Sequence, residues 1–260
     1  MYLKVVLIGA ITGDMLTTQG ITIAEDQRII KQLGFRGSQA MIKGLFVTGT
    51  GTDVGKTYVS ARIVKALKSQ YKVGYYKAAL SGAVVENDVL IPGDLEVVKQ
   101  YASLPNESCK VSFVYEEAFA PHLAAKKTNT PVDLNTIKAD LTDLENKHDF
   151  VVIEGSGGII CPLRDDKLIM LSDVMLLANY PLIIVTSSGL GSINGAVLTA
   201  QYAKQLNLNV LGFIMNNFDS NNLLHQDNRI MIERLSSYKV LGYLNKKADK
   251  IEWYEQIIES

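Results

Sequence analysis

The chain has 260 residues, of which 47% are hydrophobic, so it can bury a substantial core as one α/β domain rather than two small ones. Its 26 lysines and arginines nearly balance 27 acids. This excludes an overall field that would attract nucleic acid or an anionic membrane, and it favours a small-molecule substrate. The two cysteines, Cys109 and Cys161, lack metal-ligand spacing and are typical of buried thiols in a reducing, cytoplasmic compartment.

Residues 1–40 precede the first strand expected of the main domain and are predicted to be an accessory extension or a consequence of start-site choice. The first ten are mostly apolar, but no convincing signal-peptide cleavage region follows them. Thr22 with Glu25 has the capping-box pattern and predicts a short helix in this extension. A chain that begins at Met41 is therefore expected to fold as a single domain covering residues 41–260.

From Ile42 onward, short apolar runs alternate with amphipathic stretches, which is the pattern of βαβ units in a mainly parallel sheet. Runs such as Val151 to Ile153 are apolar at consecutive positions, so helices are expected on both faces of the sheet. The uncharged stretch from Val174 to Ala203 is interrupted by Pro181 and predicts a buried strand and a core helix rather than a membrane span. The predicted strands are Gly44–Thr48, Val73–Lys77, Phe150–Glu154, Leu182–Ser187, Val210–Asn216 and Val240–Leu244. The predicted helices are Lys56–Ser69, Leu134–Asn146 behind an Asp133 cap, Asn194–Leu206 and Asn222–Leu235.

A glycine-rich segment between the first predicted strand and helix has the residue types that bind a nucleotide's phosphates. It runs Gly-Thr-Gly-Thr-Asp-Val-Gly-Lys-Thr from Gly49 to Thr57. Glycines let successive backbone N–H groups turn toward phosphate oxygens, and the following helix directs its positive dipole end at the same anion. Lys56 would add a charge for the β- and γ-phosphates, and Thr57 would add a hydroxyl for Mg²⁺. An ordinary glycine-rich turn is the alternative, but the flanking strand and helix favour phosphate binding.

Two further motifs follow later predicted strands, and the phosphate loop itself is a variant. Five residues separate Gly49 from Gly55 where the standard loop has four. Tyr-Lys-Ala-Ala-Leu-Ser-Gly begins at Tyr76, and Glu-Gly-Ser-Gly-Gly begins at Glu154. In this order the three motifs resemble those of the dethiobiotin synthetase family, and the likeness runs from Met41 to Leu244. The resemblance implies a P-loop NTPase fold with a parallel sheet between two layers of helices.

The same resemblance implies an ATP-dependent ring closure. In the family, 7,8-diaminopelargonic acid, CO₂ and ATP give dethiobiotin, ADP and phosphate. One amine captures CO₂ as a carbamate, the γ-phosphoryl group is transferred to that carbamate to give a carbamic-phosphoric anhydride, and the second amine closes the ureido ring. Because every step concentrates negative charge, catalysis is expected to depend on positioning and electrostatics.

The resemblance also implies roles for individual residues at the nucleotide. Lys77 would contact the carbamate and the γ-phosphate, where a cation stabilises developing charge. Mg²⁺ prefers oxygen ligands and keeps several waters, so a hydroxyl and two carboxylates suit it. Asp88 competes with Asp94 for the second carboxylate position, and Asp94 has the alternative of capping the helix that begins near Leu95. The implied catalytic residues are Lys77, Lys56 and Asp53. The implied nucleotide-binding residues are Gly51, Thr52, Asp53, Val54, Gly55, Lys56, Thr57 and, for adenine, Asn216. The implied Mg²⁺ ligands are Thr57, Asp94 and Glu154.

A third set of residues is expected to bind the diamine substrate. Glycines allow a backbone to approach a ligand closely, although a tight turn alone would also need them. In the family, the loop that corresponds to residues 191–194 supplies donors to the substrate carboxylate across a dimer interface, which implies a C2 homodimer. Ala120-Pro121-His122 resembles the family's substrate-side helix start, which implies that His122 is structural or close to the substrate rather than a catalytic base. The histidines do not cluster in the sequence, so no metal-histidine site is expected. The implied substrate-binding residues are Ser81, Gly155, Gly157, Gly158, Gly191, Ser192, Ile193 and Asn194.

Two positions depart from the family pattern, and two rival classes share the variant loop. Ala78 and Asn245 stand where the family usually has proline. A cobyrinate-type amidoligase would normally add a glutaminase domain, for which 260 residues leave little room. A ParA/MinD-type ATPase would carry a signature lysine five residues before Lys56, where this chain has Gly51. These features favour a synthetase.

Overall fold

The computed structural model describes residues 43–254, which form an α/β fold around a central sheet. The strands are β1 (Gly44–Gly49), β2 (Val73–Ser81), β3 (Val84–Glu86), β4 (Val89–Ile91), β5 (Cys109–Tyr115), β6 (Phe150–Glu154), β7 (Pro162–Arg164), β8 (Ile169–Met170), β9 (Leu182–Ser187), β10 (Val210–Asn216), β11 (Val240–Leu244) and β12 (Glu252–Trp253). The helices are α1 (Lys56–Leu67), α2 (Gly93–Ala102), α3 (Pro121–Thr128), α4 (Leu134–Lys147), α5 (Leu171–Ala178), α6 (Ser192–Gln205) and α7 (Leu223–Ser236). The extension 1–40, with its predicted helix near Thr22, lies outside the described residues.

The central sheet has eight strands in the order β12-β11-β10-β9-β1-β6-β2-β5. All neighbouring pairs are parallel except β11 and β12, which pair antiparallel at one edge. The predicted fold class is confirmed. The first strand, β1, carries the phosphate loop and lies between β6 and β9. Because parallel strands end at the same edge, the loops after β1, β2, β6, β9 and β10 all emerge together.

Apolar side chains fill both faces of the sheet. One face packs on α1 and α2 through residues such as Leu45, Val59 and Val98. The opposite face packs on helices α3 to α7 through residues such as Phe46 and Ile137. Burial on both sides explains why the central strands are apolar at consecutive positions instead of alternating.

Strand β2 is longer than predicted, because the strand beside it was not recognised in the sequence. Its predicted end was Lys77, yet the strand continues to Ser81. Pairing with β6 stops where Lys77 lies opposite Glu154, whereas pairing with β5 continues until Ser81 lies opposite Tyr115. β5 is an edge strand with mostly half-buried side chains, so it lacks the apolar run that marks the central strands.

The helix boundaries agree with prediction within a few residues, with one difference that matters for the site. Helix α6 begins at Ser192 rather than Asn194, after Gly191 turns the chain with φ 87°. The predicted Asp133 cap is confirmed, since its side chain accepts a backbone N–H group of the helix that follows. Asn222, predicted as the first residue of its helix, is instead the cap before Leu223 and accepts two N–H groups. Helices α2, α3 and α5, each of ten residues or fewer, were not assigned from the pattern. In the described part of the chain, no helix combines the length and apolar character needed to cross a bilayer.

Candidate active site

The phosphate loop connects β1 to α1 in a conformation that only glycine can supply at its last turn. Gly55 has φ 94°, and a Cβ there would lie 2.0 Å from the side-chain nitrogen of Asn216. The first turn of α1 has no side-chain cap, so the loop brings uncapped backbone N–H groups to the helix start. Lys56 Nζ donates a hydrogen bond to the carbonyl of Gly51 at 2.8 Å, which folds the lysine back over the loop. This arrangement suits an anion bound above the loop.

Next to the loop, one buried lysine joins two carboxylates from different elements. Lys77 Nζ lies 3.0 Å from Glu154 Oε1 and forms a second ion pair with Asp94. The same Glu154 Oε1 accepts a hydrogen bond from Thr57 Oγ1 at 2.7 Å. Four side chains predicted to act at the nucleotide, from β2, β6, α1 and α2, therefore meet in one cluster, which we call the Lys77 cluster.

The sheet register explains why these side chains meet. Directly opposed residues of parallel strands project to the same face, and Lys77 lies opposite Glu154. That face is the one covered by α1 and α2, whose first turns carry Thr57 and Asp94 respectively. The cluster therefore lies where the end of β6 and the middle of β2 face two helix starts.

Burial and charge compete within the cluster. Burial opposes the charged form of Lys77, but the Glu154 and Asp94 carboxylates outweigh it and raise the pKa of the lysine. Burial likewise opposes ionisation of Asp94, yet Lys77 lowers the pKa of that carboxyl below its usual value. For Lys56, burial is the largest influence and Lys77 adds repulsion, so its pKa is lowered although Glu154 opposes this. Lys77 is thus held as a cation between carboxylates.

The two candidates for the second carboxylate, Asp94 and Asp88, lie in different surroundings. Asp94 is the second residue of α2, whose cap residue is Pro92 with no side-chain cap bond, so the capping alternative is wrong. Its carboxylate instead reaches Lys77. Asp88 lies in the hairpin turn between β3 and β4 with φ 61° and lines a separate cavity together with Glu116. The geometry therefore groups Asp94, and not Asp88, with the cluster.

The glycines after β6 allow the chain to fold back against the phosphate loop. A Cβ on Gly158 would meet the backbone of Gly51 at 3.5 Å, and Gly157 adopts φ 61°. A Cβ on Gly155 would lie 3.0 Å from Leu171, so the chain passes close to the core here. Ser156 Oγ also donates to the carbonyl of Ala79 on β2. The predicted segment therefore lies beside the expected position of the phosphates. Its glycines are needed for the turn at Gly157 and for the tight contact with the core at Gly155.

The first turn of α6 approaches the phosphate loop from the other side. A Cβ on Gly195 would lie 3.3 Å from Thr50. Gly191 and Asn194 are exposed, Ile193 is half-buried and Ser192 is buried. The residues expected to bind the substrate carboxylate thus form a helix start without a side-chain cap, rather than the loop that was predicted.

Several buried polar atoms at this edge of the sheet have no hydrogen-bond partner within the described protein. Buried polar groups are normally paired, so such groups mark positions where a ligand or water supplies the missing bond. Those at or near this edge are Thr48 Oγ1, Ser81 Oγ, His122 Nδ1, Ser192 Oγ and Asn216 Oδ1. Most of them lie at or just after the ends of strands that converge on the phosphate loop, so a ligand at this edge could supply the missing hydrogen bonds.

Asn216 belongs to a hydrogen-bonded chain that the sequence pattern did not reveal. Its Nδ2 donates to the carbonyl of Val54 at 3.1 Å, and its own carbonyl accepts from Ser188 Oγ at 2.8 Å. Asn228, buried on α7, donates to the carbonyls of Ser188 and Gly189 at 2.8 and 2.9 Å. The side-chain amide of Asn228 thereby holds the β9–α6 connection, which Asn216 joins to the phosphate loop. Nothing in a single polar residue of an amphipathic helix signals this role.

Two other residues near the site were not selected from the sequence. Tyr75 Oη donates to Glu154 Oε2 at 2.8 Å, and burial together with Glu154 raises the pKa of this tyrosine well above its usual value, so it remains a donor. Cys161 lies close enough to Lys56 to sense its charge, but burial dominates and raises the pKa of the thiol to about 11. Both cysteines are free thiols; Cys161 is buried as predicted, whereas Cys109 is only half-buried.

Not every predicted residue lies in the Lys77 cluster. Thr52 and Asp53 are exposed at the tip of the phosphate loop, where Asp53 has φ 58°. His122 is half-buried in the first turn of α3. Across residues 43–254, no group of three or more His, Cys, Asp or Glu side chains could hold a metal ion without other donors. A cation at this site would therefore need hydroxyl, water or phosphate oxygens in addition.

Fold and site together define a P-loop nucleotide-binding protein with a lysine–carboxylate cluster beside the loop. The family described as an AAA domain matches residues 43–252. A relative from Clostridium botulinum (strain Alaska E43 / Type E3), named ATP-dependent dethiobiotin synthetase BioD, is 45% identical over 203 residues, covering 77% of this chain and 89% of the relative. A relative of the same name from Brachyspira hyodysenteriae is 45% identical over 206 residues, covering 78% and 91%. The chain belongs to the ATP-dependent dethiobiotin synthetase family.

Solved structures support the fold at much lower sequence identity. The apo McdA structure from Cyanthece is similar with a TM-score of 0.54 at 16% identity, covering 79% of this chain and 86% of that one. A ParA family ATPase from Chlorobium tepidum TLS is similar with a TM-score of 0.52 at 12% identity, covering 80% and 86%. At such identities the likeness concerns the fold alone. The rival ParA/MinD-type function therefore gains no support beyond shared architecture.

Proposed function

We propose that this chain is an ATP-dependent dethiobiotin synthetase that joins 7,8-diaminopelargonic acid and CO₂ into the ureido ring of dethiobiotin. Family membership supports the reaction, and one structural observation supports the site. Buried Lys77 is held by Glu154 and Asp94 immediately beside the phosphate loop. Transfer of a phosphoryl group to a carbamate concentrates negative charge at this position, and a buried cation there would stabilise that charge.

Lys77, Lys56 and Asp53 are assigned to catalysis. A primary amine of the diamine adds to CO₂ and loses a proton, which gives a carbamate. A carbamate oxygen attacks the γ-phosphorus, and the bond to ADP breaks. The second amine then attacks the carbamate carbon and expels phosphate as the ring closes. Lys56 and Lys77 supply positive charge to the transferring group, while Asp53 at the exposed loop tip would face the phosphates and the diamine.

The residues at the cluster fit Mg²⁺, which supplies charge neutralisation to the phosphates when it is bound. Thr57, Glu154 and Asp94 offer a hydroxyl and two carboxylates, and hard oxygen donors of this number suit Mg²⁺ that retains waters and phosphate oxygens. The pKa of Asp94 is lowered, so it is available as a carboxylate at neutral pH. Lys77 balances these charges within the protein itself.

The remaining assignments follow the geometry of the edge. Gly51 to Thr57 would wrap the phosphates, and Asn216, whose Oδ1 is buried without a protein partner, would bind adenine. Ser81, whose Oγ is also buried and unpaired within the described chain, would bind the diamine, and Gly155, Gly157 and Gly158 would line its path. The first turn of α6, residues 191–194, would hold the substrate carboxylate.

The substrate site is proposed to be completed by a second copy of the chain. Large apolar side chains are exposed beside the substrate-carboxylate segment, including Leu190 at 92% and Leu198 on α6. Helix α7, which packs on α6, exposes Leu223 and Ile230. Apolar surface on adjacent helices is typical of an interface, and a C2 dimer would cover it. The two free thiols fit action in the cytoplasm.

The activity is tested by mixing the purified protein with ATP, Mg²⁺, bicarbonate and 7,8-diaminopelargonic acid and measuring dethiobiotin by mass spectrometry. Equal amounts of dethiobiotin, ADP and phosphate are expected. ATP hydrolysis without dethiobiotin would support the nucleotide-switch rival and refute the synthetase. Omission of the diamine provides the control for uncoupled hydrolysis.

The dimer is tested separately by sedimentation of the wild-type protein and of Leu190→Asp. The wild type is expected to sediment as a dimer, and the substitution is expected to weaken association by placing a charge in an apolar contact. An exposed leucine in a different element, Leu168→Asp, is the matched control because Leu168 is 67% exposed in the β7–β8 turn. A wild type that remains monomeric at all concentrations would refute the dimer.

A further inference from the structure

Tyr75 is a tyrosine whose hydroxyl is buried deep in an apolar layer. It lies on β2 with no exposed surface, among the side chains that pack under α1 and α2. Buried hydroxyls need a partner, and in an apolar layer few partners are within reach. The partner of Tyr75 is a carboxylate of the Lys77 cluster.

The two oxygens of Glu154 have different partners. Oε1 accepts Thr57 Oγ1 at 2.7 Å and Lys77 Nζ at 3.0 Å. Oε2 accepts Tyr75 Oη at 2.8 Å. Tyr75 and Lys77 are two residues apart on β2 and project to the same face, so the tyrosine reaches the carboxylate from within the layer, whereas the lysine lies directly opposite Glu154. One oxygen is thus held from within the apolar layer, and the other faces Thr57 at the start of the helix that follows the phosphate loop.

We propose that Tyr75 is a positioning residue for the divalent cation of the reaction. By holding Glu154 Oε2, it fixes the rotation of the carboxylate so that Oε1 alone faces the phosphates and the cation. The inference rests on the proposed function, in which Glu154 is a Mg²⁺ ligand. Groups that orient a metal ligand typically change metal affinity by about 10- to 100-fold when they are removed.

The adjacent residue, Tyr76, provides a matched control. It is also fully buried on β2, but it projects to the opposite face, and its hydroxyl pairs with Ser112 Oγ at 2.6 Å. Tyr75→Phe and Tyr76→Phe each remove one buried hydroxyl from the same strand and conserve the ring. Only the first removes a contact to the Lys77 cluster.

The test measures Mn²⁺ binding to the ADP complex by the electron paramagnetic resonance signal of free Mn²⁺, which does not depend on turnover. Tyr75→Phe is expected to weaken Mn²⁺ binding at least tenfold without changing ADP binding in the absence of metal. Tyr76→Phe is expected to stay within twofold of the wild type. In a Glu154→Gln background, Tyr75→Phe is expected to have no further effect.

Equal effects of the two phenylalanine variants would overturn the positioning role and leave Tyr75 as a core residue. If Glu154→Gln leaves Mn²⁺ binding unchanged, the metal role of Glu154 fails and the inference falls with it, so the two failures are distinguishable. Should Tyr75→Phe not fold, the double variant with Glu154→Gln decides. If the double variant folds, the misfolding of Tyr75→Phe arises from the Glu154 carboxylate, which supports the proposal. If the double variant also misfolds, the positioning role of Tyr75 is overturned.

Discussion

Replacing Lys77 with methionine tests the Lys77 cluster through stability and catalysis together. The substitution keeps most of the side-chain volume but leaves two carboxylates without their counter-charge. Lys77 and Glu154 are 4% and 0% exposed, whereas Asp94 is 39% exposed. Breaking a buried ion pair costs about 3–5 kcal/mol, which solvation of Asp94 reduces to about 2–3 kcal/mol here. For a domain of this size, that corresponds to a fall in Tm of roughly 5–10 °C.

The same variant should lose turnover much more than nucleotide binding. If Lys77 stabilises charge that develops during transfer, kcat should fall by about 10²- to 10³-fold, as when a preorganised donor is removed from a developing anion. ATP binding depends mainly on the phosphate loop and should change by less than about threefold, since Lys56 and the loop N–H groups remain.

Thermal unfolding followed by circular dichroism without Mg²⁺, calorimetric titration of ATP, and dethiobiotin formation measure the three quantities. Lys99→Met is the matched control, because Lys99 forms a partly exposed i,i+3 pair with Glu96 on α2 and should change Tm by no more than about 2 °C. A Tm of Lys77→Met equal to that of the wild type would contradict the proposed role of Lys77, and so would equal losses of ATP binding and turnover.

Three other changes test separate parts of the site. Gly55→Ala should lower Tm and weaken ADP binding, because alanine in a left-handed backbone conformation costs about 1–2 kcal/mol and its Cβ would collide with the side-chain amide of Asn216. In the control Gly51→Ala, the new Cβ enters open space, so this variant should have the Tm of the wild type. Similar melting of the two alanine variants would contradict this. Asn228→Leu removes the side-chain amide that donates to the β9–α6 connection and leaves the buried carbonyl of Ser188 unpaired, at a cost of about 1–3 kcal/mol, whereas the Gly189 carbonyl keeps the Ser192 N–H. The KM values for ATP and diamine should rise together, and a change in only one of them would argue against coupling. Iodoacetamide should alkylate Cys161 roughly 300-fold more slowly than a free thiol at pH 7.5, because a pKa of about 11 leaves little thiolate, and the rate should rise with pH. Intact-mass measurements follow the modification, and rapid labelling at Cys161 in the folded protein would refute the burial argument.

Much of the fold followed from patterns within single segments. The central strands, such as Phe150–Glu154 and Leu182–Ser187, have the predicted bounds because strands buried on both faces are apolar at consecutive positions. The Asp133 cap could be predicted because capping is a local hydrogen bond. β5 could not, since an edge strand is half-buried and its identity depends on a neighbour that is distant in the chain.

The same distinction applies to the site. The residues of the phosphate loop were recognisable because their function depends on contiguous backbone, and Lys77, Asp94 and Glu154 were reached through the family's motifs. Their assembly into one cluster depends on the register of β2 against β6 and on where α2 begins, which only packing sets. Tyr75 had no local signal at all.

The sequence by itself therefore determined the class of fold, the phosphate loop and the family, because each is written in short contiguous patterns. Tertiary structure decided that Asp94 joins Lys77 rather than capping its helix, that residues 192–194 are a helix start, and that Tyr75 and Asn228 reach the site. These outcomes depend on which side chains meet across strands and helices far apart in the chain. No local periodicity encodes such meetings, because they arise only when the layers pack together.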